Sequence, residues 1–144
     1  MNPPNRTGLD FEARTLATLA EARLGAGDRE EAQQAASEAI DLAAGRGAFF
    51  WEIFARLAAA RALLELDGRV ASNAVAEHLA RARELIERAG AKALDPFVRI
   101  ELAKLARRRG DEATHATELR EAHRLFLEIG APLRAAGVAK ELAQ

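Results

Sequence analysis

The chain has no cysteine and no tyrosine, and only one tryptophan and one methionine. Without cysteine, a disulfide scaffold and a thiolate metal site are both excluded. No apolar run approaches the roughly 18 residues of a membrane span. The polar stretch Met1 to Thr7, with Pro3 and Pro4, holds no apolar signal core. β-Branched residues never cluster, so a sheet has nothing to build on. Charge of one sign is lacking too: 21 basic and 22 acidic residues leave a formal net charge of −1. That balance exerts no long-range pull on a polyanion or a membrane surface. The expectation is a cytoplasmic, soluble protein with neither nucleic acid nor membrane as a partner.

Alanine, by contrast, fills about a quarter of the chain. It has the best helix propensity and lets helices approach closely. The 144 residues suit one domain, and 49 % hydrophobic content is enough for a core. Breakers recur at Gly25 to Asp28, Gly45 to Gly47, Asp67-Gly68, Gly90, Asp95-Pro96, Gly110-Asp111 and Gly130 to Pro132. Apolar positions at helical spacing lie between them and predict helices near residues 9–26, 28–45, 48–66, 70–89, 95–109, 111–129 and 131–143. Residues 1–8 are left as a flexible N-terminal segment ahead of a helical domain over 9–144.

The start signals agree with these bounds. Asp10, Asp28 and Asp111 are placed to act as N-caps, because a short carboxylate accepts from orphan N–H groups of the first turn. Glu31 follows Asp28 at capping-box spacing. Asp95 before Pro96 reads as a cap followed by proline at the first helical position.

An internal repeat emerges. Leu19-Ala20, Leu57-Ala58 and Leu102-Ala103 occupy equivalent places in the first, third and fifth helices. Gly27-Asp28 and Gly110-Asp111 follow the first and last of them, and the middle copy has Asp67-Gly68 instead. In the partner helices Ala32, Ala36, Ala39 and Leu42 correspond to Val75, Leu79, Ala82 and Leu85, and Leu119, Ala122 and Leu125 continue the series. The spacing implies an all-α fold of three antiparallel helix pairs plus a capping C-terminal helix, stacked as an α-α superhelix.

These residues resemble the tetratricopeptide (TPR) repeat, with Leu19-Ala20, Gly27-Asp28, Ala32 and Ala39 fitting its pattern. A narrower resemblance joins Phe50-Trp51-Glu52-Ile53, Leu63-Leu64-Glu65-Leu66-Asp67-Gly68, Arg109-Gly110-Asp111-Glu112-Ala113 and the run Glu118 to Phe126. Together they look like the TPR-like C-terminal region of bacterial proteins that link a class III adenylate/guanylate cyclase domain to a STAND-type NTPase. The resemblance spans roughly residues 10 to 143. It implies a non-catalytic regulatory or protein-interaction module, with a free-standing TPR adaptor for an extended peptide as the alternative. It does not imply cyclase or nucleotide chemistry.

No catalytic, cofactor or metal site is expected. Gly25-Ala26-Gly27-Asp28 is glycine-rich but ends in an acid, whereas a phosphate loop ends in Lys-Ser/Thr. His115 and His123 are eight residues apart, about 80° around a helix, and His78 stands alone. Ser37 and Ser72 are the only serines, and neither lies in a nucleophile elbow. The run Arg107-Arg108-Arg109 complements a helix C-terminus.

Phe49, Phe50, Trp51 and Phe54 open the third helix as an aromatic cluster, which Phe97 is placed to join. A protein or peptide partner is expected on the concave face. Helical spacing assigns that face Arg14, Ala17, Glu21 and Leu24, then Glu52, Ala55, Ala59 and Ala62, then Phe97, Ile100, Lys104 and Arg107. The proposed partner contacts are Arg14, Glu21, Glu52, Phe97, Ile100, Lys104 and Arg107. Lys104 and Arg107, three residues apart, are expected to grip one acidic group together. If the chain is a fragment, a weak homodimer is expected through Phe11, Thr15, Thr18 and Ala22 of the first helix.

Overall fold

Short helices rich in alanine and ended by glycine have to bury their small faces against one another, because none can do so alone. A computed structural model describes the backbone of residues 4–67 and 72–144, with side chains for residues 14–45, 47–66 and 72–144. It contains α1 (Pro4–Gly25), α2 (Arg29–Arg46), α3 (Phe49–Asp67), α4 (Ser72–Ala89), α5 (Asp95–Arg108), α6 (Glu112–Glu128) and α7 (Pro132–Leu142), with one 3₁₀ turn at Lys92–Leu94. No strand occurs among the described residues.

Helices α2 to α7 lie within two residues of the expected bounds. Helix α1 differs: it begins at Pro4, so residues 4–8 of the segment expected to be flexible are helical. Proline is tolerated in a first turn, where its missing N–H has no partner to lose. Asp10 therefore lies inside the helix rather than at its cap.

The described interhelical turns share one closure. Gly27, Gly47, Gly90, Gly110 and Gly130 all have positive φ. At the first of them Asp28 N donates to Arg23 O (2.8 Å) and Gly27 N to Leu24 O (3.0 Å). At Gly110, Asp111 N donates to Ala106 O (2.8 Å) and Gly110 N to Arg107 O (3.0 Å). This paired bonding satisfies two of the orphan carbonyls at each helix end. An added Cβ at Gly110 would meet nothing within 4 Å, so the left-handed backbone, not space, selects glycine there.

The acidic caps divide. Asp111 caps α6: its carboxylate accepts from Thr114 N (3.0 Å) and from the Thr114 hydroxyl (2.6 Å). Asp28 makes no side-chain cap bond, because Arg23 draws its carboxylate away (3.4 Å) and also takes Glu31 (3.2 Å). The capping box is thus replaced by an exposed ion cluster. Asp95 is the first residue of α5 and Leu94 the N-cap, since the 3₁₀ turn already brings the chain to helical geometry there.

Each helix packs on the next, and α1 on α3 and α3 on α5 also pack together. The core falls into three clusters. One joins α1, α2 and α3 through alanine, with Ile40. A second joins α3, α4 and α5 through Ile53, Leu57, Leu79, Leu85 and Val98. A third joins α5, α6 and α7 through Ala103, Leu119, Phe126 and Val138. Ala20, Ala58 and Ala103 are all fully buried, whereas Leu19 is 40 % exposed, Leu57 is buried and Leu102 is half-buried. The residue of the repeat that is fully buried in all three copies is therefore the alanine, and not the leucine before it.

Candidate functional site

The expected concave face is redrawn by α3. Packed by α1, α2, α4 and α5, this helix has little free surface. Its stripe Glu52, Ala55, Ala59 and Ala62 is core, each residue no more than 1 % exposed. Glu52, expected on the free face, is instead buried: its carboxylate is held by Arg56 Nε (3.1 Å) and Arg81 Nε (3.5 Å) between α3 and α4. Arg56 Nη1 also reaches His78 Nδ1 (3.1 Å). Burial, and then the Arg56 charge, hold the His78 imidazole below its ordinary pKa, with Glu77 opposing.

Three other expected contacts are committed elsewhere. Arg14 lies over the Trp51 ring (5.6 Å). Phe97 does not join the aromatic cluster of α3; it meets Phe126 edge to face (5.3 Å), with Arg134 stacked on it at 4.8 Å. Ile100 is half-buried against the α5–α7 cluster. Phe50 is 47 % exposed although its ring touches Trp51 and Phe54 (5.3 and 5.1 Å). Thr18 and Ala22 are exposed on α1, while the Phe11 side chain lies outside the described residues.

What the fold opens is a cavity of about 600 Å³ at the C-terminal ends of α1, α3 and α5, closed on one side by the end of α7. Glu21, Leu24, Arg61, Leu64, Glu101 and Lys104 are among its lining residues, with His115 reaching in from α6. Arg61 of α3 donates to Glu21 of α1 and, through Nε, to Glu101 Oε1 of α5 (3.2 Å). Lys104 Nζ adds a second donor to that same Oε1 (3.1 Å). The site therefore brings together Glu21 and Lys104 of the expected contacts. Arg107 also lines it but pairs with Glu112 (3.5 Å), so Lys104 and Arg107 serve different acids rather than one.

Two buried groups in this lining are half-satisfied. Glu101 is 1 % exposed, and its Oε2 has no hydrogen-bond partner although two cations share Oε1. His115 is 5 % exposed; its Nδ1 lies 2.7 Å from the Ala103 carbonyl and its Nε2 has no partner. A carbonyl only accepts, so Nδ1 carries the proton, and in the neutral ring Nε2 is a free acceptor.

Arg61 and Glu101 were missed by helical-face reasoning, yet each leaves a trace in the sequence. Arg61 is the lone polar residue in Leu57 to Leu64, and Glu101 sits between Ile100 and Leu102. A charge inside an apolar run on a helix packed on several sides has to find a partner indoors. Arg109, at the end of the basic run, donates to the Ser72 carbonyl (3.2 Å) and ties α5 to the start of α4.

Comparison with protein-family models, with curated proteins and with solved structures gives no match.

The chemistry on offer is thus read from the residues alone. The cavity lining has no serine, threonine or cysteine. Among the described residues no three His, Asp or Glu side chains converge as a metal site requires, and no described helix is long and apolar enough to cross a membrane. A second cavity of about 560 Å³, near α4 and α6, is lined by Ile86, Leu125 and Ile129 with a charged rim. No partnerless buried polar atom lies in its lining.

Proposed function

We propose that the chain is a non-catalytic helical-repeat module, stacked as a TPR-like superhelix, that binds a protein partner in the cavity at the ends of α1, α3 and α5. Its setting is a signalling or regulatory protein of the kind its sequence resembles, the bacterial cyclase–STAND NTPase tails. The same cavity serves the alternative reading, a free-standing adaptor for an extended peptide. One observation carries the proposal: a cavity of about 600 Å³ opens across the ends of three successive helices, with Glu21, Arg61, Glu101 and Lys104 in its lining beside Leu24 and Leu64. Charged groups beside apolar wall let a protein partner engage the cavity through both polar and apolar side chains.

A photo-cross-linking side chain at Leu24, in the cavity lining, tests this in the native lysate. The control carries the cross-linker at Ser37, which is exposed on α2. A discrete cross-linked product from position 24 and none from position 37 is the expected result. Equal labelling from both positions, or labelling from position 37 alone, would place the partner elsewhere.

A further inference from the structure

We propose that the joint between α3 and α4 is an acid-sensitive latch, closed only while the His78 imidazole is neutral and accepts a hydrogen bond from Arg56. The latch lies outside the cavity lining and does not depend on the partner-binding reading.

The direction of the bond fixes the state of the ring. Arg56 Nη1 lies 3.1 Å from His78 Nδ1. A guanidinium only donates, so Nδ1 is the unprotonated nitrogen and the ring proton sits on Nε2. Uptake of a second proton puts an N–H on Nδ1. Two donors and two like charges then face each other at hydrogen-bond distance, and the contact has to open.

The charges around His78 come from every helix packed on α4. On α3, Arg56 is backed by Glu52, whose Oε2 already takes Arg56 Nε (3.1 Å) and Arg81 Nε (3.5 Å). On α4 itself, Glu77 precedes His78 and Arg81 follows it. From α5, Arg109 reaches the Ser72 carbonyl at the start of α4. The 3₁₀ turn after α4 carries Lys92. Burial and then Arg56 oppose a charge on the ring, and they outweigh Glu77, so the imidazole is held below its ordinary value of 6.5.

The joint is central to the stack, because α3 packs on α1, α2 and α5 as well as on α4. Arg56 is held by Glu52 of its own helix and by His78 of the next, and Arg81 returns from α4 to the same Glu52. Displacing Arg56 therefore disturbs both polar links across the joint. Linkage gives the sign. A base whose folded pKa is depressed leaves the closed state at full stability above the unfolded value, 6.5, and weakens it as pH falls from there to the folded value. That window opens above the range in which ordinary carboxylates titrate.

The experiment follows the full chain by NMR from about pH 7.5 to about pH 5.5, the range of histidine titration. Long-range nitrogen spectra read the histidine rings, and amide exchange reads the joint. At neutral pH the His78 proton should sit on Nε2, and the ring's midpoint should lie below 6.5. Protection of the α3 and α4 amides around Arg56 and His78, corrected for the intrinsic pH dependence of exchange, should fall on acidification. One proton acting over one pH unit limits that loss to about tenfold. His78→Asn keeps an acceptor near the Nδ1 position without a titrating ring, so its protection should stay level over the same range. A neutral-pH proton on Nδ1 would overturn the latch. So would unchanged protection in the wild type, or an equal loss in His78→Asn. A midpoint at or above 6.5 would also overturn it, and is the result expected if Glu52, whose Oε1 has no partner, captures the imidazolium. If His78→Asn fails to fold, the tautomer and midpoint of the wild-type ring still decide.

Discussion

Arg61 on α3 holds Glu21 of α1 and Glu101 of α5 at once, so a single guanidinium joins three successive helices of the stack. Its partner Glu101 is buried, whereas Arg61 keeps 27 % of its side chain exposed and Glu21 keeps 41 %. The Glu101 arm is the part sheltered from solvent and carries most of the energy. Arg61→Leu leaves that buried carboxylate with Lys104 alone and should cost about 2 kcal/mol in chemical denaturation. Glu21→Gln should cost far less. Equal losses would mean that the exposed arm matters as much as the buried one.

The repeat register makes a prediction that runs against side-chain size. Ala20 is fully buried and Leu19 is 40 % exposed. Ala20→Leu should destabilise by about 1–3 kcal/mol through overpacking, while Leu19→Ala should stay within about 0.5 kcal/mol. Phe126→Ala, at the centre of the α5–α7 cluster, should cost about 3–5 kcal/mol. Thermal melts of the three variants check the order.

Glycine substitutions separate backbone strain from packing. Gly110 has φ of 78°, so Gly110→Ala should cost about 1 kcal/mol although nothing obstructs the added methyl. Gly137 lies within α7, equally unobstructed and without positive φ. Gly137→Ala should stabilise by about 0.4–1 kcal/mol, by helix propensity and a less flexible unfolded chain. Opposite shifts in melting temperature are expected.

The two aspartate caps respond differently to removal and to pH. Asp111 accepts from the Thr114 hydroxyl and backbone, and those bonds hold its pKa below the usual carboxylate value. A carboxyl group with a lowered folded pKa stabilises above the unfolded value, and that contribution is lost as pH falls through the folded one. Asp111→Ala should therefore lower the melting temperature at neutral pH, and the gap from wild type should narrow in acid. Asp28→Ala, with no cap bond to lose, should show a smaller effect.

The all-helical class and the bounds of α2 to α7 were legible in the sequence because glycine and aspartate punctuate an alanine-rich pattern with few competing signals. The face of each helix was not. A helical stripe gives an azimuth, but α3 is covered by α1, α2, α4 and α5, so Glu52, Ala55, Ala59 and Ala62 went inward. The cavity formed beside that stripe, where Arg61, the residue before Ala62, reaches Glu21 of α1 and Glu101 of α5. Glu21 and Lys104 lie on the stripes that helical spacing assigned to α1 and α5, and both line the cavity. Glu101 was missed because a charge next to apolar residues reads as solvated until its neighbours are known. Asp28 shows the same limit at short range: the cap position was right, but Arg23 competes for the carboxylate.

The central claim is that the cavity built around Glu101 is where the partner binds, and affinity capture with paired isosteric variants tests it most directly. Glu101→Gln alters a buried acid of the cavity lining; Glu118→Gln alters a half-buried acid paired with Arg99 that is not in the lining. With wild-type chain as bait in native lysate, Glu118→Gln should retain the captured partner at wild-type strength. Glu101→Gln should lose about tenfold or more, the equivalent of one charge-assisted hydrogen bond of about 1.5–3 kcal/mol. Retention of the partner by Glu101→Gln at wild-type strength would contradict the account.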